Sequence, residues 1–325
     1  MPKITFSEAI NAAMREEMRK NDRIILMGED VGYAGGVRGV TKGLWDEFGE
    51  ARVKDTPISE ATITAVGIGA ALTGMRTIVE IMYSDFIPIA GDEVFNKMAK
   101  WRYEHGGNMS IPMVLRTSCG GGFGGAAEHS QSLEAMFMHF PGLQVAYPSN
   151  AYDAKGLLKT ALNEDNPMIF LEHRLLYKTK AEVPEEEYFI PWGQAAIKRE
   201  GKDVTVVAVG IQVVYALAAA EKLKGEGIDV EVIDLRTVAP LDKKAILTSL
   251  EKTGRLVVAE EGHKTGGIGA EIAGIVAEEG IYDLLGPIKR VAALDVPIPY
   301  HPNMENFVLP NETKIMEGIR EVMRG

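Results

Sequence analysis

The sequence has little cysteine, no excess of basic residues and no long apolar segment. Its 325 residues include one cysteine, Cys119, which rules out an internal disulfide and any zinc site built from several cysteines. Lysine and arginine total 35 against 46 aspartates and glutamates, for a formal net charge of -11. Nucleic-acid binding normally needs a basic surface, and an anionic membrane would repel this chain. We therefore expect neither among its partners.

Targeting signals are also scarce. No apolar run reaches the ~18 residues of a membrane span, and the N-terminal stretch lacks a basic segment followed by an apolar one. These features predict a cytoplasmic location. With 325 residues, of which 46% are hydrophobic, the chain is long enough for two globular domains.

Helix and strand patterns alternate along the first 180 residues. Ser7–Met18 predicts a helix capped by Ser7, and Ile24–Met27 predicts a buried strand. Ile63–Leu72 is small and apolar on nearly every side, which predicts a helix enclosed by protein. Further strands are predicted over 77–83, 112–117 and 143–147, and further helices over 89–103 and 128–140. Such alternation, with solidly apolar strands, is typical of a parallel sheet covered on both faces.

The acidic, proline-containing stretch Lys180–Pro191 interrupts this pattern, as a domain linker would. Alternation then resumes, with strands predicted over 203–209, 229–235, 255–260 and 288–293 and helices over 213–224, 241–251, 268–277 and 313–323. We therefore predict an α/β fold with two domains, residues 1–180 and 192–325, joined by a linker over 181–191.

A glycine-rich stretch, Gly120–Gly125, contains five glycines and fits the spacing G-x-G-x-x-G. A dinucleotide fingerprint also needs an acid about 20 residues further on, but the next predicted strand ends in Pro148-Ser-Asn150. The lysine of a phosphate-binding P-loop is missing as well. Two interpretations remain open: a flexible surface loop, or a loop that lets backbone approach a bulky ligand while the following helix start presents His129.

Several separated motifs carry a family resemblance. They are Asp55–Glu60 (DTPISE), Ala127–Gln131 (AEHSQ), Pro141–Leu143 (PGL), Asp153–Leu157 (DAKGL), Val232–Thr237 (VIDLRT) and Glu251–Arg255 (EKTGR). Over its full length the chain resembles the beta subunit of the thiamine-diphosphate-dependent first component of 2-oxo acid and acetoin dehydrogenase complexes. The resemblance implies a transketolase-like fold, in which a parallel-sheet pyrimidine-binding domain precedes the transketolase C-terminal domain.

Glu60 is the glutamate that, by this resemblance, faces the aminopyrimidine ring of thiamine diphosphate. A carboxyl group that is hydrogen-bonded to a ring nitrogen favours the imino tautomer of the ring. The imino nitrogen can then take a proton from the thiazolium carbon. An apolar setting that raises the carboxyl pKa suits this work, and Ile58, Ile63 and Val66 are expected to provide it. From the residues alone, the commoner interpretation is that Ser59 caps a helix and Glu60 complements its dipole. The motif favours the catalytic role.

The resemblance assigns further contacts. His129 matches a histidine that orients the substrate or lipoyl group and moves protons, for which a near-neutral pKa is suitable. Phe86 stands where relatives stack an aromatic ring on the pyrimidine, and Met82 where an apolar residue lines it, although core packing explains Met82 equally well. Glu29, at a strand's carboxyl end, is a secondary cofactor-binding candidate. Ile89 stands where relatives often have glutamine, so that contact differs here.

The resemblance also implies two metal ions, potassium and Mg2+. The segment Ala161–Asn166 resembles a potassium-binding loop whose ligands, mainly backbone carbonyls, would be Met113, Ala161, Leu162, Glu164 and Asn166. A polar helix end followed by a turn is the alternative. Relatives hold the diphosphate through Mg2+ on a Gly-Asp-Gly segment, and this chain has none; Gly91-Asp-Glu93 comes nearest. An alpha subunit is therefore expected to hold Mg2+ and the diphosphate, so that thiamine diphosphate is shared.

The implied enzyme is a dehydrogenase that cleaves a carbon–carbon bond next to a carbonyl and passes the acyl unit to a lipoyl group. Its expected partners are the alpha subunit, a second beta subunit in a heterotetramer, and a lipoyl-bearing acyltransferase. Gly39–Leu44 and Glu172–Tyr177 resemble acetoin-type members slightly better than pyruvate-type ones. The alternatives are half of a split transketolase-type enzyme, or a non-catalytic binding module on the same fold.

Overall fold

The computed structural model describes residues 1–36 and 38–324, which form two compact units. The first unit comprises Met1–Cys119 and Met136–Trp192, and the second comprises Gly120–Ala135 and the chain from Gly193 onward. The glycine-rich stretch therefore belongs to the second unit, although it follows a strand of the first. Within the described residues, no helix combines the length and the apolar character needed to cross a membrane.

Six parallel strands form the sheet of the first unit, in the order β6-β7-β5-β4-β2-β3. The strands of this unit are β1 (Lys3–Thr5), β2 (Ile24–Gly28), β3 (Val53–Asp55), β4 (Arg76–Tyr83), β5 (Met113–Cys119), β6 (Gln144–Ala146), β7 (Met168–His173) and β8 (Lys180–Glu182). β1 and β8 form a separate antiparallel pair. The central strands are almost wholly buried, as expected for a parallel sheet covered on both faces.

The helices up to residue 163 are α1 (Phe6–Lys20), α2 (Leu44–Phe48), α3 (Glu60–Leu72), α4 (Ala99–Glu104), α5 (Glu134–Met138) and α6 (Ala151–Asn163). Tighter 3-10 turns cover Ser84–Ala90 and Arg174–Leu176, and a π-helical stretch, Glu93–Met98, leads into α4. The sequence analysis omitted β1, β3, β7, β8 and α2. It included α6 only as the helix end in the alternative to the potassium loop, and that helix end is observed at Asn163.

The predicted cap of α1 is wrong by two residues. Thr5, not Ser7, precedes the helix: its hydroxyl accepts the Glu8 backbone N–H at 3.1 Å, and the Glu8 carboxylate accepts the Thr5 N–H at 2.7 Å. This reciprocal capping box satisfies two backbone donors at the helix start. Ser7 instead donates its hydroxyl to the Tyr177 carbonyl. The predicted apolar face is confirmed, since Ile10 and Met14 are fully buried.

The predicted helix over 128–140 is wrong in its first half. Only α5 is helical, and His129 lies in a loop five residues before it. The loop closes through a backbone hydrogen bond from Gly120 to the Gln131 carbonyl, 3.1 Å long. Loop closure therefore sets the conformation of this segment.

The helix α3 forms as predicted, but it is not enclosed on all sides in the single chain. Thr62, Ala65, Val66 and Gly69 form an exposed face, while Ile63 and Ile68 pack inward. The sequence thus identified an apolar helix correctly, and protein from this chain covers only part of it.

The second unit has a five-stranded sheet in the order β14-β13-β10-β11-β9, in which only the β9–β11 pairing is antiparallel. Its strands are β9 (Ala196–Arg199), β10 (Val204–Ala208), β11 (Val230–Asp234), β13 (Leu256–His263) and β14 (Lys289–Ala293), with the short strand β12 (Thr237–Ala239) outside this sheet. Its helices are α7 (Ile211–Lys224), α8 (Lys243–Thr253), α9 (Ile268–Glu279), α10 (Pro302–Val308) and α11 (Glu312–Arg324), with a 3-10 turn over Ile281–Asp283. The sequence analysis omitted β9, β12 and α10.

Candidate functional site

The carboxyl ends of three neighbouring strands position the candidate residues of the first unit. Glu29 directly follows β2, and Glu60 starts the helix after β3. Met82 is the second-last residue of β4, and Phe86 lies in the 3-10 turn that follows this strand. Gly28 of β2 is in register with Asp55 of β3 and with Glu80 of β4. Because the strands are parallel, these segments leave the same edge of the sheet, where ligands of α/β proteins bind.

Glu60 is a buried carboxyl group without a protein partner. It is 7% exposed, and within residues 1–36 and 38–324 no hydrogen bond or ion pair reaches its carboxylate; only its backbone carbonyl is engaged, by Thr64. Ser59 occupies the N-cap position but makes no capping hydrogen bond, contrary to the capping interpretation. A carboxyl group that is largely covered by protein but has no protein partner is available to hydrogen-bond to a ligand.

Glu29 lies in an acidic environment at the same edge. Burial raises the pKa of its carboxyl group, and the negative charges of Glu60, Asp30 and Glu80 raise it further. The electrostatic potential at this edge is therefore negative. Such a potential favours a ligand group that is positively charged or that shares a proton with a carboxylate.

The apolar setting expected around Glu60 is only partly present. Ile63 is buried, but Ile58 is 80% exposed and Val66 is 53% exposed. Ile58 precedes α3 and Val66 lies on the exposed face of that helix, so in the single chain only Ile63 is buried as expected.

Met82 and Phe86 are both half-buried. The Met82 carbonyl accepts a hydrogen bond from the Ser118 hydroxyl at 2.6 Å, which fixes the end of β4. The Phe86 ring packs edge-on against Tyr83, with ring centres 5.4 Å apart. Ile89, the departure from relatives, is 61% exposed.

A buried ion network was missed by the sequence analysis. The Arg116 guanidinium donates to both carboxylate oxygens of Glu172, at 2.8 and 3.0 Å, and to Glu80 at 2.7 Å. The Tyr177 hydroxyl donates to Glu172 at 2.8 Å. Burial raises the pKa of Glu172, and the Arg116 charge opposes that rise. The signal in the sequence was one charged residue inside each of three apolar strands.

The potassium candidates are Met113, Ala161, Leu162, Glu164 and Asn166, which start β5, end α6 or follow it. Two of their carbonyls already accept backbone or side-chain donors. The Ala161 carbonyl accepts the Glu164 N–H at 3.3 Å, and the Glu164 carbonyl accepts Arg76 at 2.7 Å. The Asn166 side chain accepts from Arg102. Potassium binding here stays a prediction.

In the second unit, the glycine loop has an alternating backbone. Gly120, Gly122 and Gly124 have φ values of 86°, 88° and 76°, in the left-handed region where residues with a Cβ are strained. Alternation of this kind turns successive N–H groups toward one side and forms a concave anion-binding site, called a nest. The glycines therefore have a conformational role.

Carboxylates of the same chain occupy this nest. Glu305 of α10 accepts the Gly122 N–H at 2.7 Å and the Gly124 N–H at 3.1 Å. Glu261 of β13 accepts the Gly121 N–H at 2.8 Å and the Ser132 hydroxyl at 3.2 Å. These N–H groups have partners within the chain, so the geometry does not fit a dinucleotide phosphate.

His129 follows this loop and is half-buried. Its backbone N–H contacts the Ala126 carbonyl at 3.5 Å, within a turn where Ala126 has a positive φ of 58°. The loop, and not the start of a helix, therefore presents the histidine.

Glu134, just beyond this loop, is a fully buried carboxyl group. Burial, followed by the charges of Glu260 and Glu261, raises its pKa to about 8. One oxygen accepts the Gly262 N–H at 3.3 Å, and the other has no partner among the described residues. Burial also raises the pKa of Glu260 to about 7, although the N–H groups of Ile268 and Gly269 oppose that rise. Protonated Glu134 is therefore the form that this environment favours near neutral pH.

Replacing Glu134 with glutamine is expected to reduce the loss of stability as pH rises. The folded pKa of about 8 lies above the ordinary 4.5, so the proton held by the folded state stabilises it fully below pH 4.5. That contribution is lost as pH rises through the folded pKa, at up to about 1.4 kcal/mol per pH unit. Glutamine mimics the protonated acid and does not titrate. Calorimetric unfolding of both proteins between pH 5.5 and 8.5 measures the difference.

Glu279→Gln is the matched control, because Glu279 is exposed and pairs with Lys243 at the surface. We expect its pH profile to follow that of the wild type. Parallel profiles for wild type and Glu134→Gln would contradict the protonated state inferred for Glu134.

Comparison with known proteins matches each half of the chain to a family. Residues 2–180 match the model "Transketolase, pyrimidine binding domain", and residues 193–315 match "Transketolase, C-terminal domain". The 2-oxoisovalerate dehydrogenase subunit beta of Bacillus subtilis is 47% identical over 324 residues, covering 99% of each chain.

Relatives with other named substrates are equally similar. The beta subunit of acetoin:2,6-dichlorophenolindophenol oxidoreductase from Bacillus subtilis is 48% identical, covering 98% of this chain and 97% of the relative. The pyruvate dehydrogenase E1 component subunit beta of Rhizobium meliloti is 46% identical, covering 99% of this chain and 70% of the relative. Among solved structures, a split-gene transketolase described as an inactive beta4 tetramer has a TM-score of 0.81 at 24% identity, covering 99% of this chain and 98% of that one. That likeness supports the fold alone.

Proposed function

The chain belongs to the transketolase-like family of dehydrogenase beta subunits, and from this membership we propose that it forms half of a thiamine-diphosphate-dependent active site. The proposed reaction cleaves a carbon–carbon bond next to the carbonyl of a 2-oxo acid or acetoin. The acyl unit then passes to a lipoyl group on an acyltransferase partner. The beta-subunit names of relatives with 46–48% identity support this proposal.

The single observation that carries the proposal is the buried, unpartnered carboxyl of Glu60. Thiamine diphosphate, when bound, supplies a carbon nucleophile that adds to a carbonyl. Glu60 fits its aminopyrimidine ring, because a carboxyl group without a protein partner is available to share a proton with a ring nitrogen. The negative potential that raises the pKa of Glu29 also favours a shared proton at this edge of the sheet.

Other residues of the first unit have roles in holding the ring. The half-buried Phe86 side chain is proposed to stack on it, and Met82 to line it. Glu29 is proposed to contact the pyrimidine edge through its carboxyl group, whose pKa is raised by burial and by the neighbouring negative charges. These roles are consistent with the position of all three residues at the carboxyl ends of β2 and β4.

His129 is proposed to orient the substrate or lipoyl group and to move protons at the reacting carbonyl. An imidazole has an ordinary pKa near neutrality, which suits proton transfer in both directions. The half-buried position of His129 in a loop held by hydrogen bonds keeps the ring partly accessible while limiting its motion.

The need for a partner subunit follows from a motif that this chain lacks. It has no Gly-Asp-Gly segment, so we propose that an alpha subunit holds Mg2+ and the diphosphate. The exposed face of α3, with Val66 at 53% exposure, and Ile58 just before the helix, at 80%, support a partner chain, because apolar surface of this kind is stabilised by burial. A heterotetramer with two alpha and two beta subunits is the proposed assembly.

The isolated chain is expected to show no tight, Mg2+-dependent binding of thiamine diphosphate. The pyrimidine half alone provides few contacts, since the diphosphate and metal carry most of the charge that a protein can recognise. Titration calorimetry with and without Mg2+ measures this binding, and addition of the alpha subunit should create it. Micromolar affinity (about -8 kcal/mol) without any partner would refute the division of the site.

Reconstitution with the alpha subunit tests the reaction itself. Pyruvate, branched 2-oxo acids and acetoin are assayed separately, first with an artificial electron acceptor and then with a lipoyl domain. Activity on one of them identifies the substrate, which relatives of nearly equal identity do not separate. Activity only on sugar phosphates would instead support a split transketolase. Inactivity of every combination, with binding intact, would support a non-catalytic module.

A further inference from the structure

The two carboxylates in the glycine nest have no role in the proposed function described so far. Glu305 is 4% exposed and Glu261 is 6% exposed. They come from different elements, α10 and β13, and meet consecutive N–H groups of one loop. Both acids are more than 130 residues away in sequence from the glycines they bind.

We infer that Glu305 and Glu261 are positioning residues, whose carboxylates hold the glycine loop so that His129 is presented in one place. This inference rests on the proposed function, because it assigns His129 a role in the reaction. Hydrogen bonds from N–H groups to carboxylates are among the strong ones in proteins. Here they restrain a segment whose glycines would otherwise give it large conformational freedom.

The loop is held at both of its ends and at its middle. The Gly120–Gln131 backbone hydrogen bond closes it, Glu305 binds Gly122 and Gly124, and Glu261 joins Gly121 to Ser132. Because Glu261 contacts the loop on both sides of His129, its carboxylate fixes the span that contains the histidine. A Cβ at Gly121 would approach Leu309 to 2.6 Å, so this backbone also packs closely on the segment after α10.

The first experiment measures the loop directly, without any assay of activity. Hydrogen exchange of the amides of residues 121–124 is followed in the full chain for wild type, Glu305→Gln and the surface control Glu279→Gln. Glutamine replaces one accepting oxygen by an NH2 group. This group is a donor, so it cannot accept a hydrogen bond from the loop N–H groups. We expect exchange at 121–124 to accelerate at least about tenfold in Glu305→Gln and to be unchanged in the control. Unchanged exchange in Glu305→Gln would overturn the inference.

The second experiment uses the complex with the alpha subunit. We expect Glu305→Gln to lower kcat by at least about tenfold while KM changes little, since the substrate-binding groups remain. Added to His129→Ala, it should cause no further loss, because residues that act through one another are not additive. A double variant slower than His129→Ala by the full factor of Glu305→Gln would show an independent role and refute positioning.

Circular dichroism and thermal unfolding establish that each variant is folded. If Glu305→Gln does not fold, Glu305→Asp keeps the charge but withdraws it from the loop, and the same two readouts should change in the same direction. Failure of the proposed function would appear in the wild-type complex as inactivity on every substrate, whereas failure of this inference would appear only in the variants.

Discussion

Glu60→Gln is expected to abolish turnover by the reconstituted enzyme while leaving folding and assembly intact. Glutamine keeps the size of the side chain, but its amide does not ionise and so cannot exchange a proton with a ring nitrogen. The loss should reach at least about 100-fold in kcat, or about 2.7 kcal/mol in the barrier. Stability should not fall, because the carboxyl makes no hydrogen bond within the described residues and a neutral amide costs less to bury. Steady-state kinetics and size-exclusion chromatography measure the two properties.

The control for this variant is Glu50→Gln, which makes the same chemical change at an exposed position of the first unit. It should retain full activity. Cofactor affinity in the complex is measured alongside, so that lost binding is separated from lost chemistry. Activity of Glu60→Gln within about tenfold of the wild type, or roughly 1.4 kcal/mol, would remove Glu60 from the proposed role.

The sheet strands were predictable because they are buried on both faces. Ile24–Met27 is a continuous apolar run and Asp203–Val209 is mostly apolar, and both lie within one residue of the observed β2 and β10. Burial of this kind leaves a local pattern that needs no knowledge of the rest of the chain. The strand β7 was missed because Glu172 follows its apolar residues, and the partner that permits a buried glutamate, Arg116, is 56 residues away.

The glycine loop shows that contacts between residues distant in sequence also limited the prediction of the site. Its spacing suggested a ligand loop, and the missing acid correctly argued against a dinucleotide, but the groups that occupy it are carboxylates over 130 residues away. Local helix propensity over 128–140 was overridden by these long-range hydrogen bonds. For α3, the pattern predicted enclosure by protein, but this chain covers only part of the helix.

Arg116→Ala is expected to lower the free energy of unfolding of the first unit by about 3–5 kcal/mol. The guanidinium is 2% exposed and pairs with Glu172, which is 1% exposed, and with Glu80. Removing it leaves the buried Glu172 carboxylate and the half-buried Glu80 carboxylate without their cation. All three tryptophans, Trp45, Trp101 and Trp192, lie in the first unit, so their fluorescence during urea unfolding reports its stability.

Arg19→Ala is the matched control in the same unit, because Arg19 pairs with Glu47 but its side chain is 59% exposed. Its loss of stability should be much smaller than that of Arg116→Ala, because exposed ion pairs contribute little. The double variant Arg116→Ala with Glu172→Gln should recover part of the stability, since it removes the carboxylate whose pKa burial already raises. A loss for Arg116→Ala no larger than for Arg19→Ala would show that water reaches the ion network. The ends of β5 and β7 would then not be held rigidly and away from water, as the buried network implies.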